Sequence, residues 1–179
     1  MRDIPTCHNS KVIFSIIKNN LGFENGRLLD IGSSLGGYFC HKFEELGFDC
    51  YAMEHDPRRI YFMKKLKKYD DLEFKVIDKS IFDFDVKGKK FDAVLALNVF
   101  HHFLQEEYTF KKLLQLLKEL DTKVMFFQCP SKETPIMKND YRKYVGDRFV
   151  EFIIENSNLN YFEYLGRPEN DDPIYKLIK

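Results

Sequence analysis

The chain has 179 residues, with 28 Lys plus Arg balanced by 28 Asp plus Glu. That suits one domain able to bury a two- or three-layer core without disulfides or a structural metal, and offers no global field toward nucleic acid, though a local patch stays open. The longest apolar stretches, near Val12 to Ile17 and Phe91 to Phe100, fall short of the roughly 20 residues a membrane span needs.

After the opening MRDIPTCHNSK, Asn9 or Ser10 is positioned to cap a helix running to about Leu21, with Val12, Ile13, Ile16, Ile17 and Leu21 at helical spacing and Gly22 as its stop. Residues 1–22 thus form an N-terminal helical segment of a single domain spanning 1–179. RLLDIG (27–32) reads as a buried parallel strand ending in an acid and a glycine, followed by a helix from about Gly36 to Leu46. FDCYAMEHDP (48–57) repeats that arrangement, with Asp56 as cap and Pro57 at the first helical position of a helix reaching about Lys68. LEFKVID (72–78) is a third strand, and FDAVLALN (91–98) a fourth, apolar enough for the middle of a sheet. A helix over Glu106 to Leu120 places Phe110, Leu113, Leu114, Leu117 and Leu120 on one face. TKVMFFQC (122–129) is a fifth strand, Asp147 is expected to cap a helix to about Asn156, and YFEYLG (161–166) with IYKLIK (174–179) form a closing antiparallel pair.

The opening segment lacks the cationic start, apolar stretch and cleavage site of a secretory signal, so a cytoplasmic protein is expected. Cys7, Cys40, Cys50 and Cys129 are scattered without C-x-x-C pairs, which reads as reduced thiols and neither zinc nor redox chemistry. The lysines of 64–68 read as a solvated helix face.

In a doubly wound α/β sheet, ligands sit beyond the carboxyl ends of the strands. The residues there form a series. The turn from Asp30 to Gly37, DIGSSLGG, lets a backbone approach a ligand closely and opens onto free helix N–H groups, a feature shared with nicotinamide and flavin sites. Glu54 ends the second strand, where a carboxylate can accept both hydroxyls of a ribose. Asp78, followed by Lys79 and Ser80, ends the third, placed either to receive an amino proton of adenine or to cap a turn.

LLDIGSSLGGYF, YAMEHDPRRI, EFKVID and FDAVLALNVFHHF resemble the consecutive motifs of class I S-adenosylmethionine (SAM)-dependent methyltransferases. The resemblance implies a three-layer, mostly parallel seven-stranded sheet with an antiparallel last strand, and SAM as cofactor. It sets Asp30, Gly32, Ser34 and Gly36 around the methionine portion, Glu54 at the ribose, Asp78 at the adenine and His55 flanking the base. Lys79, beside Asp78, and Asn98, at the end of the fourth strand, are further candidates for contact with SAM. Ser34 departs from the family pattern, which carries a middle glycine there. VFHHF and the ending PIYKLIK are similar, more narrowly, to the methyltransferase half of the methyltransferase-kinases that cap O-antigen chains, which implies a sugar-type hydroxyl or phosphate acceptor.

Methyl transfer is an in-line displacement that depends mainly on alignment. A hydroxyl acceptor benefits from a base, and His101 or His102 lies just beyond the fourth strand, with one of the pair expected to face the cleft; packing of both is the other reading. Tyr38 can cover the cofactor or the sheet, while Tyr141 and Tyr144 belong to a substrate lid or to a surface helix. Asp92 begins its strand, at the wrong end for a metal-dependent site, so no metal is expected. The expected partner is a small-molecule acceptor, with the pocket completed by residues 1–9 or by another subunit; nothing bears on oligomeric state. A noncatalytic SAM-binding subunit and an NAD-dependent reductase are the alternatives, the latter without an evident Tyr-x-x-x-Lys pair.

Overall fold

A computed structural model describes residues 9–34, 36–133 and 135–179. Cys7 and the rest of the segment 1–8 lie outside the described residues. Seven strands, β1 (Arg27–Ile31), β2 (Asp49–Glu54), β3 (Lys75–Asp78), β4 (Lys90–Leu97), β5 (Asp121–Gln128), β6 (Tyr161–Gly166) and β7 (Ile174–Ile178), form one sheet in the order β3-β2-β1-β4-β5-β7-β6. β1 to β5 run parallel, whereas β7 pairs antiparallel with both β5 and β6. The sequence of the inner strands explains their place. β1 and β4 are apolar on both faces because both are covered: Leu28 and Leu95 point to one side, Leu29 and Val94 to the other, all without solvent exposure.

Helices α1 (Ser10–Asn20), α2 (Tyr38–Glu44) and α3 (Pro57–Tyr69) cover one face, where Ile13, Ile17, Phe43 and Met63 pack on Leu28, Leu95 and Phe126. Helices α4 (Glu107–Glu119) and α5 (Gly146–Glu155) cover the other, burying Phe110, Leu113, Leu117, Phe149 and Ile153 against Val94, Ala96 and Phe127. No helix among the described residues is long and apolar enough to cross a membrane.

Several element ends depart from expectation. α2 begins at Tyr38, not Gly36, because Gly36 and Gly37 take φ of 78° and 62°, outside the right-handed helical region. β3 begins at Lys75, not Leu72, because the N–H groups of Glu73 and Phe74 donate to the Glu44 carboxylate instead of to a ladder. Asp147 does not cap α5: it sits inside the first turn and accepts a hydrogen bond from the Tyr175 hydroxyl at 2.7 Å. Asn9 precedes α1 at φ 64° without a side-chain cap bond, its amide reaching the β6–β7 connection instead. On α4, Leu116 is buried and Leu114 only partly so. Asp56 does cap α3, accepting from the Arg58 N–H at 2.8 Å.

Phe127 has no exposed surface and meets the Phe149 ring at 5.0 Å and the Phe100 ring at 5.9 Å. Phe127→Ala is expected to cost about 3–5 kcal/mol through lost burial and the remaining cavity, a large share of the roughly 5–15 kcal/mol that holds a domain folded. Urea unfolding checks this; a loss below about 1 kcal/mol, the scale of an average substitution, would show the site is not tightly packed.

Candidate functional site

Where β1 ends, the chain turns through Gly32, at φ 75°, and Ser34, at φ 57°. A side chain is tolerated poorly at Gly32, since a Cβ there would lie 3.2 Å from Val99 Cγ2 in a left-handed backbone. The Gly32 and Ser33 N–H groups both donate to the Met53 carbonyl, at 3.0 and 2.8 Å, which ties this turn to the end of β2.

Two buried carboxylates face each other across that tie. Glu54, 2% exposed, accepts from the Ser34 N–H on Oε2 at 3.0 Å and from the His55 and Asp56 N–H groups on Oε1 at 2.8 and 3.0 Å, with Arg59 Nη1 3.6 Å from Oε2. Asp30, equally buried, accepts from the Ser33 hydroxyl at 2.5 Å. Burial pushes the Asp30 carboxyl up to about 7; the Ser33 hydrogen bond opposes this and the Glu54 charge adds to it.

Beyond β4, Asn98 takes φ 52° and donates its N–H to the Gln128 carbonyl at 3.0 Å. Its Oδ1 is buried without a hydrogen-bond partner among the described residues. The next turn brings the His101 and His102 rings together, with centroids 4.0 Å apart and planes tilted by 41°. Burial holds His101 down to about 4, with the His102 charge adding to the effect; burial also lowers His102, against the pull of Asp140.

These strand ends border a cleft of two lobes that share Gly32, Arg59, Leu97 and Asn98. The first, about 400 Å³, is further lined by Asp30, Ser34, Tyr38, Gln128, Asn170 and Asp171 among others. The second, about 520 Å³, is lined by Glu54, His55, Lys79, Ser80, Phe82 and His102 among others. Both volumes are in the range of small-molecule sites. The cleft lies where β1 and β4 are neighbours and the strand order reverses, the place where open α/β sheets hold ligands.

Of the residues singled out in the sequence, Asp30, Gly32, Ser34, Glu54, His55, Lys79, Asn98 and His102 line this cleft. Three do not. Gly36 is buried in the turn behind it. Asp78 is more than half exposed and pairs with Lys64 on α3 at 3.0 Å, so the wall is formed by Lys79 and Ser80 instead. His101 turns away, its Nδ1 buried without a partner among the described residues. Tyr38 is buried against Phe14 and still touches the first lobe. Tyr141 and Tyr144 pack on Phe110 and Phe152 and are absent from both linings. Arg59, Ser10, Gln128, Asn170 and Asp171 were not anticipated. Gln128 was accessible to the same strand-end reasoning that selected Asn98; Asn170 and Asp171 sit in a polar turn whose composition says nothing of the cleft.

The sequence of residues 8–161 matches the family model of a methyltransferase domain. No match was found among curated proteins. The fold is similar to monomeric WbdD, described as a bifunctional kinase-methyltransferase, with a TM-score of 0.72 and 18% identity over 97% of this chain and 42% of that one. This chain therefore spans about two fifths of WbdD. It is also similar to the PH0226 protein from Pyrococcus horikoshii OT3 (TM-score 0.70, 16% identity, 98% of this chain and 93% of that one). A further likeness is to magnesium protoporphyrin IX methyltransferase (ChlM) from Synechocystis PCC 6803 with bound SAM (TM-score 0.68, 10% identity, 94% and 77%). At these identities the structural likenesses bear on the fold.

The raised Asp30 carboxyl has a consequence for stability. Its folded-state value of about 7 exceeds the ordinary 3.8, so the folded form holds a proton that the unfolded form has released, and stability falls as pH rises through that window. Relative to Asp30→Asn, the wild type is expected to lose up to about 1.4 kcal/mol per pH unit between those values. Urea midpoints at several pH values check this, and parallel curves for the two proteins would contradict it.

Proposed function

The chain belongs to the methyltransferase domain family whose model it matches, and we propose that it transfers a methyl group from SAM to a small-molecule acceptor. The observation that carries this reading is the convergence of Asp30, Glu54 and the unpartnered Asn98 Oδ1 on one cleft beside Gly32. Each suits a part of SAM. A buried acceptor without a donor calls for one from a ligand, and an ammonium group supplies it. Asp30, whose ionisation is opposed by burial, gains from a cation nearby. Glu54 Oε2 accepts one N–H, compared with two at Oε1, and a carboxylate has about four acceptor positions, which leaves capacity for ribose hydroxyls.

SAM bound in this cleft supplies an electrophilic methyl group on a sulfonium centre. The residues of the chain bind and align. Asp30, Gly32, Ser34 and Asn98 hold the methionine portion, Glu54 the ribose, and His55, Lys79 and Ser80 flank the base in the second lobe. His102 takes the proton of a hydroxyl acceptor: it lines the second lobe, and partial burial lowers its imidazole from the ordinary value, which favours the neutral form that a base requires. The acceptor is a hydroxyl or phosphate of a sugar-type small molecule, a reading supported by the similarity of VFHHF and PIYKLIK to the O-antigen-capping enzymes. Bound SAM in the ChlM structure supports the choice of cofactor.

Isothermal titration with SAM, S-adenosylhomocysteine and NAD tests the cofactor. SAM and S-adenosylhomocysteine are expected to bind, and Glu54→Gln is expected to weaken them roughly tenfold or more, the scale of one or two charge-assisted hydrogen bonds. Binding of NAD alone would overturn the reading. Binding of SAM without release of S-adenosylhomocysteine on any acceptor would make the chain a noncatalytic subunit.

The histidines separate in the same release assay. His102→Ala is expected to slow release by roughly 10²–10⁴-fold with SAM affinity kept, and His101→Ala to leave the rate near that of the wild type. Equal rates for both variants would remove the base from His102.

A further inference from the structure

The first lobe narrows the acceptor class, on the methyl-transfer reading above. Part of its lining comes from outside the cofactor motifs: Ser10 and Ile13 of α1, Gln128 at the end of β5, and Asn170 and Asp171 between β6 and β7. These segments are joined by one polar assembly centred on Asp171. Gln128, 1% exposed, donates its amide to Asp171 Oδ1 at 3.0 Å and to the Asp172 carbonyl at 2.9 Å. The Asp172 N–H donates to the same Oδ1 at 2.8 Å, and Asn9 donates to Oδ2 at 3.3 Å and to the Glu169 carbonyl at 2.8 Å. Arg167 Nε donates to the Asp171 carbonyl at 2.6 Å. A loop carboxylate is thereby fixed from the residue that precedes α1, from β5 and from its own turn. Oδ1 is well supplied with donors, and Oδ2 has one long contact, which leaves it able to accept another.

The charges of the two lobes differ. The first presents the Asp171 carboxylate, the Asp30 carboxyl whose ionisation burial opposes, and one cation, Arg59, which already lies 3.6 Å from Glu54. The second adds Lys79, His55 and His102 around Glu54. A phosphate on the Asp171 side of the first lobe meets that carboxylate and a guanidinium already drawn to Glu54, whereas a hydroxyl or amine meets an acceptor. Partly desolvated charges in a cleft act with less screening than on an open surface, so this difference selects among ligands. We infer that Asp171 is a specificity-determining residue. Of the two acceptor groups that the methyl-transfer reading admits, it selects the hydroxyl over the phosphate: it receives an O–H or N–H donor of a neutral or cationic acceptor, and the first lobe disfavours phosphate.

The test uses the full chain saturated with S-adenosylhomocysteine, whose binding is established first by titration; a failure there falls on the methyl-transfer reading and leaves the lobe to be judged by the probes. Ethanolamine and inorganic phosphate are then titrated separately at neutral pH while the backbone amides of Gln128 and Asn170 are followed by NMR. Ethanolamine is expected to shift both amides, and phosphate neither. Asp171→Asn should weaken ethanolamine roughly tenfold or more, as expected on losing a charged acceptor, with S-adenosylhomocysteine affinity unchanged as the sign of an intact fold. Asn170→Asp, which adds a carboxylate to the same wall, should tighten it. Saturable phosphate binding at these amides, no response to ethanolamine, or equal ethanolamine affinity in the wild type and Asp171→Asn would each overturn the assignment.

Discussion

Two carboxylates buried at the tips of adjacent parallel strands constrain the rest of this molecule. Burying a charge is costly unless hydrogen bonds or an opposite charge compensate, and the chain treats its two acids differently. Glu54 is met by three backbone N–H groups of the turns after β1 and β2. Asp30 has the hydroxyl of Ser33 and little else, and its proton is held to about 7. One acid is therefore settled by the fold, and the other is left for a ligand to settle. Binding sites often retain such incomplete compensation, because a fully satisfied group gains nothing from a partner.

The strand-to-helix turn after β1 shows how the fold accommodates a departure from the usual glycine. Ser34 holds φ 57°, a conformation that costs a residue with a Cβ about 1 kcal/mol or more. Its N–H is aimed at Glu54, so the left-handed conformation orients the donor that helps retain the second carboxylate. Glycine would reach the same geometry without that cost. The serine side chain also makes this wall of the first lobe more polar.

Much of the architecture was legible in the sequence because the signals were local. Apolar stretches ending in Asp30, Glu54 and Asn98 marked strands buried on both faces, and Asp56-Pro57 marked a helix start through capping chemistry that is the same in any fold. Where the outcome depended on distant groups, the reading failed. Leu72 to Phe74 has strand composition, yet Glu44 takes two of its N–H groups. Asp147 has the character of a cap, yet Tyr175 engages it. The cleft divides in the same way. Asp30, Gly32 and Glu54 were visible because strand ends in such sheets point into the crevice. Asp78 has an equivalent position in sequence but lies on the edge strand, where a lysine one helix away draws it outward. Adjacent histidines cannot be separated by pattern, since only the turn that follows Asn98 decides which ring faces the cleft. Asn170 and Asp171 were illegible because only the antiparallel return of β7 brings their turn to the cleft beside α1.

Proton release on binding tests the role of the incompletely compensated carboxylate most directly. Calorimetric titration of SAM near neutral pH, repeated in buffers of different ionisation enthalpy, should show protons leaving the protein as the ligand's cationic groups draw Asp30 into its charged form, and Asp30→Asn should lose that release while still binding. Heats independent of the buffer, or an undiminished release in the variant, would mean that no cation of the ligand reaches Asp30 and that the crevice does not hold SAM in the manner described.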